Sequence, residues 1–150
     1  RSTVYAPMTG KVKDLSEVED EVFSSGMLGN GIAIEPTNGQ VNSPVDGIVT
    51  TVFPTKHAIG VTSDDGVEIL IHIGMDTVEL NGEGFESFVK QNERVKKGDL
   101  LIRVNLDKIK AAGLSMITPI VVTNSNSYKA ISIDAKNTVD KGQVLLTIQP

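Results

Sequence analysis

The stretch HAIGVTSDDGVEILIHIG, residues 57–74, decides how this chain folds. Two runs rich in aliphatic and β-branched residues flank a short SDDG turn, which is the pattern of a β-hairpin. Side chains alternate across a strand, so Val67, Ile69, Ile71 and Ile73 form one aliphatic face that belongs in a core. Glu68, Leu70 and His72 lie on the other face, which turns a histidine toward solvent or a partner. The only other histidine, His57, stands at the far end of the opposing run. With Asp64-Asp65 as a two-residue loop, His57 falls opposite His72; with Asp65-Gly66, it opposes Gly74 and lies diagonal to His72. Either register keeps the rings on one face, with Cβ atoms ~5 Å or ~7–8 Å apart. A three-residue loop sends them to opposite faces. Thr55 joins the histidine face if the alternation stays regular.

Outward from the hairpin, short β-branched segments recur between turn sequences such as PMTG, PTNGQ, SPVDG, KKGD and DKGQ. This rhythm belongs to an all-β sandwich or barrel. Helical spacing occurs only in residues 82–91 and 106–113, so one or two short helices are expected. Two internal echoes point to a doubled, hammerhead-like β unit: APMTGKV (6–12) with SPVDGIV (43–49), and VKKGDLLIRV (95–104) with VDKGQVLLTI (139–148). The expected architecture is an antiparallel β-sandwich forming a single domain over residues 1–150.

Composition narrows the function. The 150 residues include no cysteine, which excludes disulfides, thiolate nucleophiles and cysteine-bound zinc and fits a reducing, cytoplasmic setting. A net charge of -5 and only four phenylalanines and two tyrosines speak against nucleic-acid binding. No apolar run approaches the ~18 residues of a membrane helix. The chain opens at Arg1 without an initiator methionine, which leaves room for an origin in a longer protein, including one with membrane-spanning parts.

Two imidazoles and a hydroxyl on one face limit the chemistry. Zinc needs further ligands, and neither HExxH nor H-x-H spacing is present, so no metal site is expected. Serine hydrolysis lacks a G-x-S-x-G elbow and leaves the second histidine unexplained. Phosphoryl carriage uses both: one imidazole nitrogen attacks phosphorus while an acceptor holds the other, and a neighbouring N–H and hydroxyl stabilise the transferring oxygens.

The motifs YAPMTGKV, GNGIAIEP, SPVDGIV, KHAIGV and above all ILIHIGMDTVELNGEGF resemble the glucose and β-glucoside type of enzyme IIA domain of the bacterial sugar phosphotransferase system, from about Val4 onward. The resemblance implies an antiparallel β-sandwich that takes a phosphoryl group from the histidine of HPr and passes it to a cysteine of enzyme IIB, with no cofactor. It implies that His72 is phosphorylated on Nε2 with Nδ1–H held by the Gly74 carbonyl, that His57 donates to the phosphoryl oxygens, and that Thr55 is the hydroxyl. It further implies an apolar docking ring of Val22, Phe23, Met27, Phe53, Met75 and Val78, with Asp20 and Asp76 facing a basic residue of HPr. Leu70 and Ile59 are expected to flank the histidines by alternation. Such an interface should bury less than ~1,200 Å² in total. A rival reading is a biotinyl or lipoyl carrier displaying Lys136, although IDAKNTVDK matches that hairpin poorly and the chain is about twice too long for one.

Overall fold

The computed structural model describes every residue from Arg1 to Pro150. The first half supplies strands β1 (Ser2–Tyr5), β2 (Gly10–Lys13), β3 (Asn30–Pro36), β4 (Gln40–Asn42), β5 (Gly47–Val52), β6 (Ala58–Ser63) and β7 (Glu68–His72). The second half supplies β8 (Phe85–Ser87), β9 (Arg94–Val95), β10 (Leu100–Val104), β11 (Thr118–Val122), β12 (Ala130–Ile133), β13 (Thr138–Val139) and β14 (Val144–Gln149). Two short helices, α1 (Glu21–Ser24) and α2 (Leu106–Ala111), complete the elements with three 3-10 turns. No helix is long and apolar enough to cross a membrane.

All the strand pairs are antiparallel, in an eight-stranded sheet ordered β13-β2-β3-β11-β7-β6-β5-β9 and two three-stranded sheets, β1-β14-β12 and β4-β10-β8. The expected doubling is real and extends to individual hydrogen bonds. Ala6 N donates to Gln143 O at 2.7 Å and Gly142 N to Ala6 O at 2.8 Å; in the second unit Ser43 N donates to Asp99 O at 2.7 Å and Gly98 N to Ser43 O at 2.9 Å. The units exchange main-chain bonds, Tyr5 N to Pro44 O and Asn42 N to Pro7 O. The long sheet reads alike from either end, with the pseudo-two-fold between β11 and β7 where Ile120 faces Ile71. The aliphatic face of the sheet and the inner faces of the small sheets enclose one cluster of 28 buried residues.

Gly47 shows why a glycine recurs in both echoes. A Cβ there would lie 2.0 Å from the Thr62 carbonyl oxygen, and one at Gly10 would lie 2.0 Å from that of Glu35. Neither neighbour can yield without moving a strand. Gly47→Ala is therefore expected to cost about 3 kcal/mol, the upper end of overpacking penalties, read as a lowered midpoint in urea at unchanged slope.

Two expectations need correction. The region 82–91 is not helical: Gly82 (φ 86°) and Gly84 (φ 87°) are left-handed, and Phe85–Ser87 instead pairs with β10. The decisive hairpin also adopts neither expected register. Ala58 faces His72, Ile59 faces Ile71 and Thr62 faces Glu68, around a three-residue loop Asp64-Asp65-Gly66. A two-residue I′ loop would demand positive φ at two successive residues, whereas this loop places only Gly66 (φ 93°) there. Ser63 secures it, with its hydroxyl accepting from Val67 N at 2.9 Å and donating to Asp65 Oδ1 at 2.6 Å. In this register Ile59 joins the core, fully buried, and does not flank the histidines.

Candidate functional site

His72 is the last residue of β7, and the chain turns sharply after it. Gly74 (φ 71°) and Asp76 (φ 59°) are both left-handed, leading into a 3-10 turn over Thr77–Leu80. The turn brings the Gly74 carbonyl back to the imidazole, which bonds it through Nδ1 at 2.8 Å. A carbonyl only accepts, so Nδ1 carries the proton and Nε2 keeps its lone pair. That geometry alone sets the tautomer.

His57 reaches the same place by another route. Its carbonyl accepts from Ile73 N at 2.7 Å, a position whose alternation would send the side chain to the aliphatic face. The residue lies just outside β6, directly after left-handed Lys56 (φ 61°), so strand alternation does not govern it. Thr55 Oγ1 bonds His57 Nδ1 at 2.7 Å and holds the ring across the strand end. The two imidazole centroids are 5.0 Å apart, nearly perpendicular at 82°. They meet although the loop that sets the hairpin register is the one expected to separate them.

The rings form a row. Phe23 packs on His72 at 5.1 Å and Phe53 meets His57 edge-on at 5.5 Å. His57 is only 5 % exposed, covered by its neighbours, whereas His72 is half-buried. The expectation that both rings look outward therefore holds for His72 only. Burial pushes both imidazoles below their ordinary value of 6.5. For His57, repulsion from His72 adds to the effect; for His72, the Gly74 carbonyl, Asp20 and Asp76 pull the other way without overcoming burial.

The expected apolar ring divides into two parts. Met27 (76 % exposed), Val78 (51 %) and Val22 stand in solvent, and Phe53 and Leu70 are half-buried. Phe23 (4 %) and Met75 are buried, in a small cluster with Leu15, Val18, Ala33 and Val121 beneath the site. They support the surface instead of forming it, because α1 and the 3-10 turn fold over the outer face of β3 and β11. Asp20 caps α1 through Val22 N at 3.0 Å, and Asp76 is exposed with no cap bond from its side chain.

A family profile described as phosphoenolpyruvate-dependent sugar phosphotransferase system, EIIA 1, matches residues 2–128. The chain belongs to this EIIA family. The EIIA chain is 50 % identical over 148 residues to the PTS system beta-glucoside-specific EIIBCA component of Bacillus subtilis (strain 168), covering 99 % of this chain and 24 % of that protein. The component of the same description from Halalkalibacterium halodurans is 48 % identical over 148 residues, 99 % of this chain and 23 % of that one. The EIIA chain thus spans about a quarter of the length of these curated relatives. Its fold matches glucose permease IIA from Mycoplasma capricolum with a TM-score of 0.91 and 46 % identity, over 97 % of this chain and 94 % of that chain.

Three residues outside the expected set hold the turn after His72. Thr77 Oγ1 donates to Ile73 O at 2.6 Å, Gly74 N donates to Thr118 Oγ1 at 3.3 Å, and Met75 N donates to Ser115 O at 3.0 Å. Thr77 lies within the motif itself, so a hydroxyl just after a glycine turn was a readable signal. Ser115, in the loop before β11, and Thr118, the first residue of β11, are distant in sequence and left none.

Proposed function

We propose that this EIIA domain is a phosphocarrier in which His72 accepts a phosphoryl group from phospho-HPr and passes it to a cysteine of enzyme IIB. The observation that carries this reading is the bond from His72 Nδ1 to the Gly74 carbonyl, which leaves Nε2 as a fixed lone pair on a half-buried surface ring. In the transfer, Nε2 attacks phosphorus and the bond to the donor imidazole breaks, its electron pair returning to the donor nitrogen. Transfer onward reverses the roles, with a thiolate of IIB attacking and His72 regaining its lone pair. With the Thr55 hydroxyl donating to Nδ1 of His57, Nε2–H of His57 is free to bond the phosphoryl oxygens as charge builds on them.

A shared surface suits two successive partners. Val22, Met27 and Val78 offer exposed apolar contact, and Asp20, Asp76 and Glu79 offer negative charge to a basic donor. The EIIBCA description of the relatives supports an IIB unit in the same polypeptide. Our reading places the domain on the cytoplasmic side of the membrane, with its donor and acceptor. The test is incubation with phosphoenolpyruvate, enzyme I and HPr, followed by peptide mapping. An acid-labile phosphoryl group on His72 is expected, and its appearance on any other residue refutes the assignment. A stable adduct on Lys136 instead would revive the swinging-arm reading.

His57→Gln is expected to accept label within about tenfold of the wild-type rate but to deliver it to IIB at least about 100-fold more slowly, since general hydrogen-bond and proton assistance is worth 10²–10⁴. Equal loss in both directions would refute this division of roles. pH gives a second check. Both imidazoles titrate below 6.5, so the labelling rate should stay flat from pH 8 down to about 6.5 and fall below it as His72 gains a proton. Stability follows the same sign: the unfolded histidines bind protons first, so the folded state loses stability as pH drops from 6.5 through the depressed native values. Urea titrations across this range read it directly.

A further inference from the structure

We infer that Thr77 is a positioning residue for phosphoryl transfer, its buried hydroxyl holding the backbone that sets the tautomer of His72. The inference rests on His72 Nε2 as nucleophile. Two peptide units lie between Ile73 and Met75, and each is held at both ends. In the first, the Ile73 carbonyl accepts from Thr77 Oγ1 at 2.6 Å and the Gly74 N–H donates to Thr118 Oγ1 at 3.3 Å. In the second, the Gly74 carbonyl accepts from His72 Nδ1 at 2.8 Å and the Met75 N–H donates to Ser115 O at 3.0 Å.

Both threonines are completely buried, so no solvent molecule stands ready to replace either hydroxyl. Thr118 is already committed, donating to Met116 O at 3.0 Å while accepting from Gly74. The turn needs this restraint because Asp76, not a glycine, takes the left-handed conformation at φ 59° with no bond from its own side chain to the turn. The Thr77 methyl also fills the space beside Gly74, where a Cβ would come within 2.7 Å of it. Without the hydroxyl the Ile73 carbonyl is orphaned, the peptides rotate to satisfy it, and the Gly74 oxygen leaves Nδ1. The imidazole proton then moves to Nε2, and the remaining lone pair points into the domain.

Nitrogen-15 NMR of the histidine ring reads the tautomer without any donor, and phospho-HPr labelling reads the rate. Thr77→Val is expected to populate the Nε2–H form of His72 and to slow labelling about tenfold at unchanged KM for the donor, the effect of one buried hydrogen bond. Thr77→Ser should restore both to within about twofold of wild type. A folded Thr77→Val protein that keeps His72 wholly in the Nδ1–H form and labels at the wild-type rate overturns the inference, as does a Thr77→Ser protein as slow as Thr77→Val. If Thr77→Val does not fold, Thr118→Val removes the hydroxyl at the other end of the same peptide and faces the same two outcomes. Wild-type label on a residue other than His72 would defeat the phosphocarrier reading alone, because the tautomer is measured independently of transfer.

Discussion

His72→Ala is expected to abolish labelling by phospho-HPr, with a loss of more than about 10³-fold, while the domain stays folded. No other residue can take over. The chain has no cysteine and one other histidine, and His57 is buried with Nδ1 committed to Thr55. The cost to the fold should be small, since the lost ring is half-buried and its packing on Phe23 is the main apolar contact removed. About 1 kcal/mol, or a drop of roughly 2–4 °C in Tm for a domain of this size, is the expected penalty. Label retained on His57 in this variant would overturn the assignment of nucleophile and partner.

Gly74→Ala should combine a stability loss with a catalytic one. The residue sits at φ 71°, and an added Cβ would meet Thr77 Cγ2 at 2.7 Å and Ser115 O at 2.8 Å. The left-handed strain contributes about 1–2 kcal/mol and the crowding about 1–3, for a total of about 2–5 kcal/mol. Relief of the clash must move the one carbonyl that orients His72, and a displacement near 1 Å can cost roughly 100-fold in rate. Thermal melts and labelling rates measured on the same sample check both halves. Wild-type values for either one would show that the turn is more compliant than its geometry implies.

Much of the fold was legible because alternation and turn chemistry are local. The aliphatic face of β7, the echoes at residues 6–12 and 43–49, and the short helix at Leu106–Ala111 follow from neighbouring residues alone. The failures were also local in origin. Residues 82–91 carry helical spacing, but the left-handed glycines at 82 and 84 and the pairing of Phe85 with Val104 override it. The hairpin register depended on whether one or two residues would accept positive φ. One wrong step there moved Ile59 from the site to the core.

The doubled scaffold carries its histidines once. By the matching registers of β3 with β11 and β6 with β7, Val121 occupies the place in one unit that His72 occupies in the other. Val121 is buried in the small cluster with Phe23 of α1, so the same backbone position carries a supporting side chain on one side and the proposed nucleophile on the other.

The order of residues was enough to establish an antiparallel β protein, two histidines of interest and the run HIGMDTVEL, since a period of two and a contiguous motif need no distant partner. The centroid distance of 5.0 Å and the burial of Phe23, Met75 and His57 came only with the folded chain, and the Nδ1 contact with the Gly74 carbonyl, which the family resemblance implied, has its geometry from the fold. The physical reason is that these depend on a left-handed residue at Lys56, a three-residue loop at Asp64–Gly66, and hydrogen bonds donated to Ser115 O and Thr118 Oγ1 from the turn after His72. Such features are settled by closure and packing of the whole domain, where no single stretch of residues holds the answer.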